Sequence, residues 1–194
     1  MAGHRAIAAV SLTLRDILRE RYPASGLGTS LNAELYQNKD FGSPMKEGIA
    51  LFLWRIVPNG NRRNPGIRTD VLGRRFRPSL PVDLSYLVVP FADDSDRQQR
   101  LFGWMLRTID DIGPLLASRL NNALSESDVF HPDEALELVL EPLSVSDHLT
   151  VWDRIKTMPL FANYVVRMLM LDRESEITEA PLVVERGFEV GVLK

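Results

Sequence analysis

Residues 48–57 read GIALFLWRIV. In an extended chain Ile49, Leu51, Leu53 and Val57 fall on one side, and Ala50, Phe52, Trp54 and Ile56 on the other. Successive side chains of a strand point to opposite faces, so both faces of this strand are apolar. Such a strand belongs in the middle of a sheet covered on both sides. The stretch therefore sets the plan of the fold: a central sheet with other elements packed over it.

The flanking sequence supplies those elements. Upstream, Ile7, Val10, Leu14, Ile17 and Leu18 recur at the spacing of one helical face, predicting an amphipathic helix over 5–21. Pro23 and the Gly26, Gly28 pair end it. Residues 29–37 (TSLNAELYQ) suit a strand. Downstream, 82–91 (VDLSYLVVPF) is a second core strand whose Pro90 places its end at an edge or bulge. Leu101, Trp104, Met105, Thr108, Ile109 and Ile112 predict a helix over 95–112, stopped by Gly113-Pro114, with a short helix over 115–123 after it.

Residues 134–141 alternate, Leu136, Leu138 and Leu140 against Glu137 and Glu141, as a half-exposed strand does. Ser144 with Asp147 resembles a capping box, with Asp in place of the usual Glu, and opens a helix with Leu149, Trp152 and Ile155 on one face. Residues 163–171 (NYVVRMLML) form the last core strand. The order of helices and strands gives an α+β fold, helices packed on a mixed, mostly antiparallel sheet.

Bulk properties set further bounds. The chain has 194 residues, 45% hydrophobic and 25% charged, which suits one domain with an arm. The domain is expected to span 1–172 and the arm 173–194. A formal charge of −3 argues neither for bulk nucleic-acid binding nor for an acidic solvating role. It is unevenly spread. Residues 1–90 carry 13 Lys and Arg against 7 Asp and Glu, and residues 91–194 carry 10 against 19. There are no cysteines, hence no disulfides or thiolate metal sites. The first residues have no signal-peptide pattern, and no run of about 18 apolar residues predicts a membrane span. The expectation is a cytoplasmic protein.

A search for chemistry returns little. Gly26-Leu27-Gly28 follows a helix and lacks the remainder of a phosphate loop. His4, His131 and His148 have no ligand spacing, so no metal and no cofactor is expected. Asp93-Asp94 and Asp110-Asp111 are neighbours in sequence, whereas acid–base catalysis needs carboxylates converging across a cleft. No serine sits in a G-x-S-x-G elbow. Catalytic residues are not expected.

Two segments are unusual. The irregular stretch from Pro58 to Pro81 holds six arginines, Arg62, Arg63, Arg68, Arg74, Arg75 and Arg77. Loops of this length in compact domains are functional or disordered. It reads as a solvated loop or as a protein interface, since Arg pairs bidentately with carboxylates. Nucleic acid is the weakest reading, because Phe76 is the only aromatic. The second segment is the end of the chain. There Leu182, Val184, Phe188, Val190 and Val192 alternate with Glu185, Gly187, Glu189 and Gly191. This tail is either disordered or packed on its own domain, or else an extended arm adding as a strand to a neighbouring subunit. The arginines together with Leu182, Val184, Phe188 and Val190 are the expected interface residues.

Six stretches carry a resemblance, in order, over nearly the whole chain. They are AIAAVSLTLRDILRE (6–20), GIALFLWRIVPNGNRRN (48–64), RPSLPVDLSYLVVPFADD (77–94), RLFGWMLRTIDDIGPLL (100–116), DEALELVLEPLSVSDHLTVWDRI (133–155) and APLVVERG (180–187). Together they resemble the N-terminal domain of cap proteins of antifeeding-prophage-like contractile injection systems. The ending TIDDIGPLL departs from that family's pattern. The resemblance implies a fold like phage tail terminators and a structural role without catalysis. It implies a homohexameric ring on the last tube and sheath layers that ends their polymerisation and couples sheath to tube. The partners would then be further copies of the chain and the tube and sheath proteins. PNGNRRN (58–64) would be exposed for ring or tube contact. The alternative role is a non-enzymatic baseplate or assembly adaptor of the same kind of particle.

Overall fold

The computed structural model describes residues 3–22, 31–61, 66–70, 72–124, 129–155 and 160–177. Helix α1 (Ala6–Arg21) leads to a short strand β1 (Ala33–Leu35), a 3-10 turn (Asn38–Gly42) and the long strand β2 (Gly48–Pro58). A small hairpin, β3 (Arg68–Thr69) and β4 (Arg75–Phe76), precedes β5 (Leu80–Phe91). Then follow α2 (Ser95–Asp110), β6 (Leu115–Leu116), α3 (Ala117–Asn122), β7 (Ala135–Leu140), α4 (Val145–Ile155) and β8 (Ala162–Leu171).

The main sheet has six strands in the order β1-β2-β5-β8-β7-β6. Only β1 and β2 pair in parallel; the other neighbours are antiparallel. The last of the described strands, β8, thus lies between β5 and β7. Of the expected strand over 29–37, the described residues 31–37 pair over Ala33–Leu35. Leu115 and Leu116 leave the expected helix over 115–123 and form the edge strand β6.

One face of the sheet carries α1, α2 and α3. Ile17, Leu18, Met105 and Leu120 from the helices meet Leu51 and Leu84 from the strands in one buried cluster. Tyr22 and Trp104 join α1 to α2 edge to face, with ring centres 5.2 Å apart. The buried Ser11 and Tyr86 hydroxyls, 2.8 Å apart, satisfy each other between α1 and β5. Burial pushes the Tyr86 phenol well above its ordinary value, against the opposing pull of the Ser11 bond.

The opposite face carries α4 and the 3-10 turn over a smaller cluster of Tyr36, Phe41, Ala50, Leu87, Val151 and Ile155. Entry into β2 depends on Gly48, at φ 145°, where an added Cβ would land on the Asn32 carbonyl oxygen. That oxygen accepts the Ile49 N–H at 2.8 Å, which starts the β1–β2 pairing.

Register and burial refine the strand expectations. A bulge at Trp54 in β2 places Ile56, not Val57, on the side of Leu53: Leu53 pairs with Tyr86 and Ile56 with Leu84. The end of β2 is also open, with Arg55 and Ile56 exposed. Pro90 lies in an interior strand, but beyond Val88, the last β5 residue paired with β8, so its missing N–H costs no bond on that side.

Helix α4 begins as expected. The Ser144 hydroxyl accepts the Asp147 N–H at 3.1 Å and donates to the Asp147 carboxylate at 2.8 Å. Its orientation differs. Val151 and Ile155 are the buried pair, while Val145, Leu149 and Trp152 are 79%, 54% and 44% exposed. Spacing alone fits both faces, and the sheet takes the one whose residues reach Leu87 and Phe161. Ile155→Ala is therefore expected to cost about 2–5 kcal/mol and Trp152→Ala about 1 kcal/mol or less in urea unfolding. The reverse order would show that Leu149 and Trp152 are the packed side.

Candidate assembly surfaces

The arginine-rich stretch is structured where it is described. Asp70 builds the turn of the β3–β4 hairpin. Its carboxylate accepts the N–H groups of Leu72 (2.9 Å) and Arg74 (2.8 Å) and the Arg74 Nε (2.7 Å). Gly73, at φ 79°, takes the left-handed position that the turn requires. Burial works to raise the Asp70 carboxyl, but the bonds from Arg74 and Leu72 outweigh it and hold the group below its ordinary value.

A third segment joins the hairpin. After β8 the chain runs antiparallel to β4. Arg77 N–H donates to Ser175 O (3.1 Å), Ile177 N–H donates to Arg75 O (2.7 Å), and Phe76 faces Glu176. Residues 173–177, expected to begin a separate arm, are thus tied to the arginine segment of their own domain. Arg68 donates to Arg173 O (3.0 Å) and lies 3.7 Å from the Asp172 carboxylate. Arg74 reaches Glu176 at 3.3 Å. Both guanidiniums lie over the buried Phe76 ring, at 4.6 and 5.6 Å. Arg68 and Arg74 are therefore internal ties of a small ribbon. Arg75 and Arg77 flank Phe76 on the other side of the strand and are exposed, as is Leu72 at the turn, 76% open to solvent.

Of the remaining expected interface residues, Arg62, Arg63, Leu182, Val184, Phe188 and Val190 lie outside the described residues. PNGNRRN is not uniformly open. Asn59 is buried, donates to both Asp83 carboxylate oxygens at 2.9 Å and accepts the Asn61 N–H at 2.9 Å. It is a structural peg at the root of the loop.

Asp83 also accepts the Met168 N–H at 2.8 Å. Here β8 carries a bulge, Arg167 and Met168 standing opposite Asp83, with Met168 at φ 59°. The last pair between β7 and β8 is Glu137 with Arg167. Past it lies a wedge of about 410 Å3 between the two strands. The buried side chains of Phe130, Leu136 and Leu169 form its floor, and Asp133, Glu134 and Glu137 its acidic rim. Arg167, on the same wall, reaches Glu141 at 3.3 Å. Sequence reading missed this wedge; its one signal is the density of acids at 133–137.

A polar cleft of about 390 Å3 between α1 and α3 is lined by Thr13, Asp16, Glu20, Ser118 and Arg119. Arg119 and Glu20 pair across it. Among the described residues no group of three or more His, Cys, Asp or Glu is placed to hold a metal, and no helix is long and apolar enough to cross a membrane.

The sheet, the helices on its two faces and the strand order define a single α+β domain. The chain belongs to the Pvc16 N-terminal domain family, which matches residues 9–185. It is similar in structure to the sheath/tube terminator of PVC, an extracellular contractile injection system, in the extended state. The TM-score is 0.61 at 14% identity, over 95% of this chain and 65% of that one. It is also similar to the tube-terminating cap of the anti-feeding prophage, with a TM-score of 0.57 at 15% identity, over 93% of this chain and 60% of that one. The chain thus spans less than two thirds of the length of either structure. Among curated proteins, none matches the sequence.

Two outcomes follow for the ribbon. A chain truncated after Ile177 is expected to keep the hairpin, and one truncated after Asp172 to lose the amide-exchange protection of Arg77 and the Arg68 and Arg74 ties. Equal protection in both would show that residues 173–177 do not hold it. In a pH titration, the Leu72 and Arg74 amide resonances are expected to shift with a midpoint below 3.8, the ordinary Asp value. A lowered folded value contributes stability above that pH, and it is lost as the pH falls through the folded value. A midpoint above 3.8 would remove Asp70 as the turn's organiser.

Proposed function

We propose that this protein is a non-catalytic structural cap of a contractile injection system, a tail terminator. In this reading, copies of the chain, six by family resemblance, assemble from the cytoplasm as a ring on the end of the particle. The ring stops further addition of tube and sheath subunits and couples sheath to tube. The observation that carries the reading is the family match over 9–185, together with a fold shared over 95% of the chain with a sheath/tube terminator.

The surface chemistry suits the role. A cap must bind a polymer end without offering a copy of that end. Exposed arginines on the ribbon and carboxylates around the β7–β8 wedge are different patches, which head-to-tail contacts require. Single exposed ion pairs are weak. Contacts made by six copies at once raise affinity by about 10²–10⁴ without any new interaction.

The test is particle length. Without this protein, tubes and sheaths are expected to lose their uniform length in electron micrographs, and adding it back is expected to restore one length. Label on the protein should sit at the end opposite the baseplate. Uniform particles in its absence would overturn the cap reading. Label at the baseplate would replace it with the adaptor role.

A further inference from the structure

The outward side of the ribbon and the β7–β8 wedge are opposites in chemistry. Leu72 is exposed at the turn of the first, and Arg75 in β4 and Arg77 just past it are exposed along the same ribbon. The second offers an apolar floor inside a rim of Asp133, Glu134 and Glu137. We propose that the hairpin tip of one copy seats in the β7–β8 wedge of a second copy. Leu72 then lies on Phe130, Leu136 and Leu169, and Arg75 and Arg77 face the carboxylate rim. This rests on the ring reading above and names the contact that builds it.

Three observations support one occupant over others. Leu72 is open to solvent in its own molecule, so the tip does not fill its own wedge. The signs of charge match at the rim, where complementary charge steers approach and fixes register more than it adds affinity. The tip is also held in shape beforehand. Asp70 accepts three bonds at the turn, and Arg68 and Arg74 brace the ribbon against Phe76, Asp172 and Glu176. A pre-ordered knob loses little freedom on docking. Knob and wedge are different patches, so the contact is head to tail and propagates to a third copy, as a ring needs.

The absence of native cysteine makes the test direct. Copies carrying Leu72→Cys and differently tagged copies carrying Ala135→Cys, a residue of the wedge wall, are mixed and oxidised. The expected product is a disulfide-linked pair containing both tags. Leu149→Cys on α4 replaces Leu72→Cys as control and is expected to give at least about 10-fold less. In a Leu72→Cys chain, Arg75→Glu with Arg77→Glu should lower the yield about 10-fold. Asp133→Arg with Glu137→Arg in the Ala135→Cys partner should restore it.

No mixed product, an equal yield from the control, or no rescue by the reversed charges would each overturn the proposal. A product seen only after removal of residues 178–194 assigns the wedge to that tail and also overturns it. Failure of this contact is distinguishable from failure of the cap reading. Wild-type rings of unchanged mass by light scattering without the cross-link remove only the contact. Uniform particles in the protein's absence, with the cross-link intact, remove only the cap.

Discussion

The Asp83 carboxylate is the point on which both surface features depend. It sits in the central strand and accepts bonds from Asn59 at the root of the arginine loop and from Met168 at the bulge of β8. A methionine in the left-handed region costs on the order of 1–2 kcal/mol. Hydrogen bonds to a charged acceptor contribute about 1.5–3 kcal/mol each, enough to offset it. The extra residue also shifts the phase of β8. Val166 and Leu169, three apart, both face the main core, which strict alternation forbids. Beyond the bulge the strand leaves β7, opening the wedge, and leads into the segment that completes the arginine ribbon.

Much of this fold is legible in the sequence because its helices and strands repeat their apolar residues cleanly. The stripe Leu101, Trp104, Met105, Thr108 and Ile109 is buried as spaced, and the two-faced apolarity of 49–53 does mark an interior strand. What is not legible arises from contacts distant in sequence. The bulges at Trp54 and Met168 change which residues share a face, and period-2 counting cannot see them. On α4, Val145, Leu149 and Trp152 compete with Val151 and Ile155 at equivalent helical spacing, and only the shape of the sheet decides. Trp152 illustrates why large apolar size is a poor guide to burial when two faces qualify.

The arginine ribbon and the β7–β8 wedge are only half legible in the sequence. A run of arginines between Pro58 and Pro81 is conspicuous, yet charge counting treats them alike. The fold divides them: Arg68 and Arg74 pair with Asp172, Asp70 and Glu176 and stack on Phe76, leaving Arg75 and Arg77 on the outer side. The partners are more than 90 residues away for Asp172 and Glu176, beyond any local pattern. The wedge was invisible because a gap between strands is a property of register, and its acids at 133–137 look like an ordinary solvated turn.

Strand order carries a consequence for the timing of biogenesis. Among the described strands β8 is made last, and it lies between β5 and β7. Between emergence of Phe91, the end of β5, and Leu171, the end of β8, a ribosome working at about 5–20 residues per second needs on the order of several seconds. During that interval β5 keeps an open edge, β7 once made has no β8 to pair with, and neither the β8 wall of the wedge nor the third segment of the ribbon exists. A nascent chain therefore displays neither surface in full until β8 and residues 173–177 have emerged. The topology acts as a clock that withholds both surfaces from chains that have not yet reached β8.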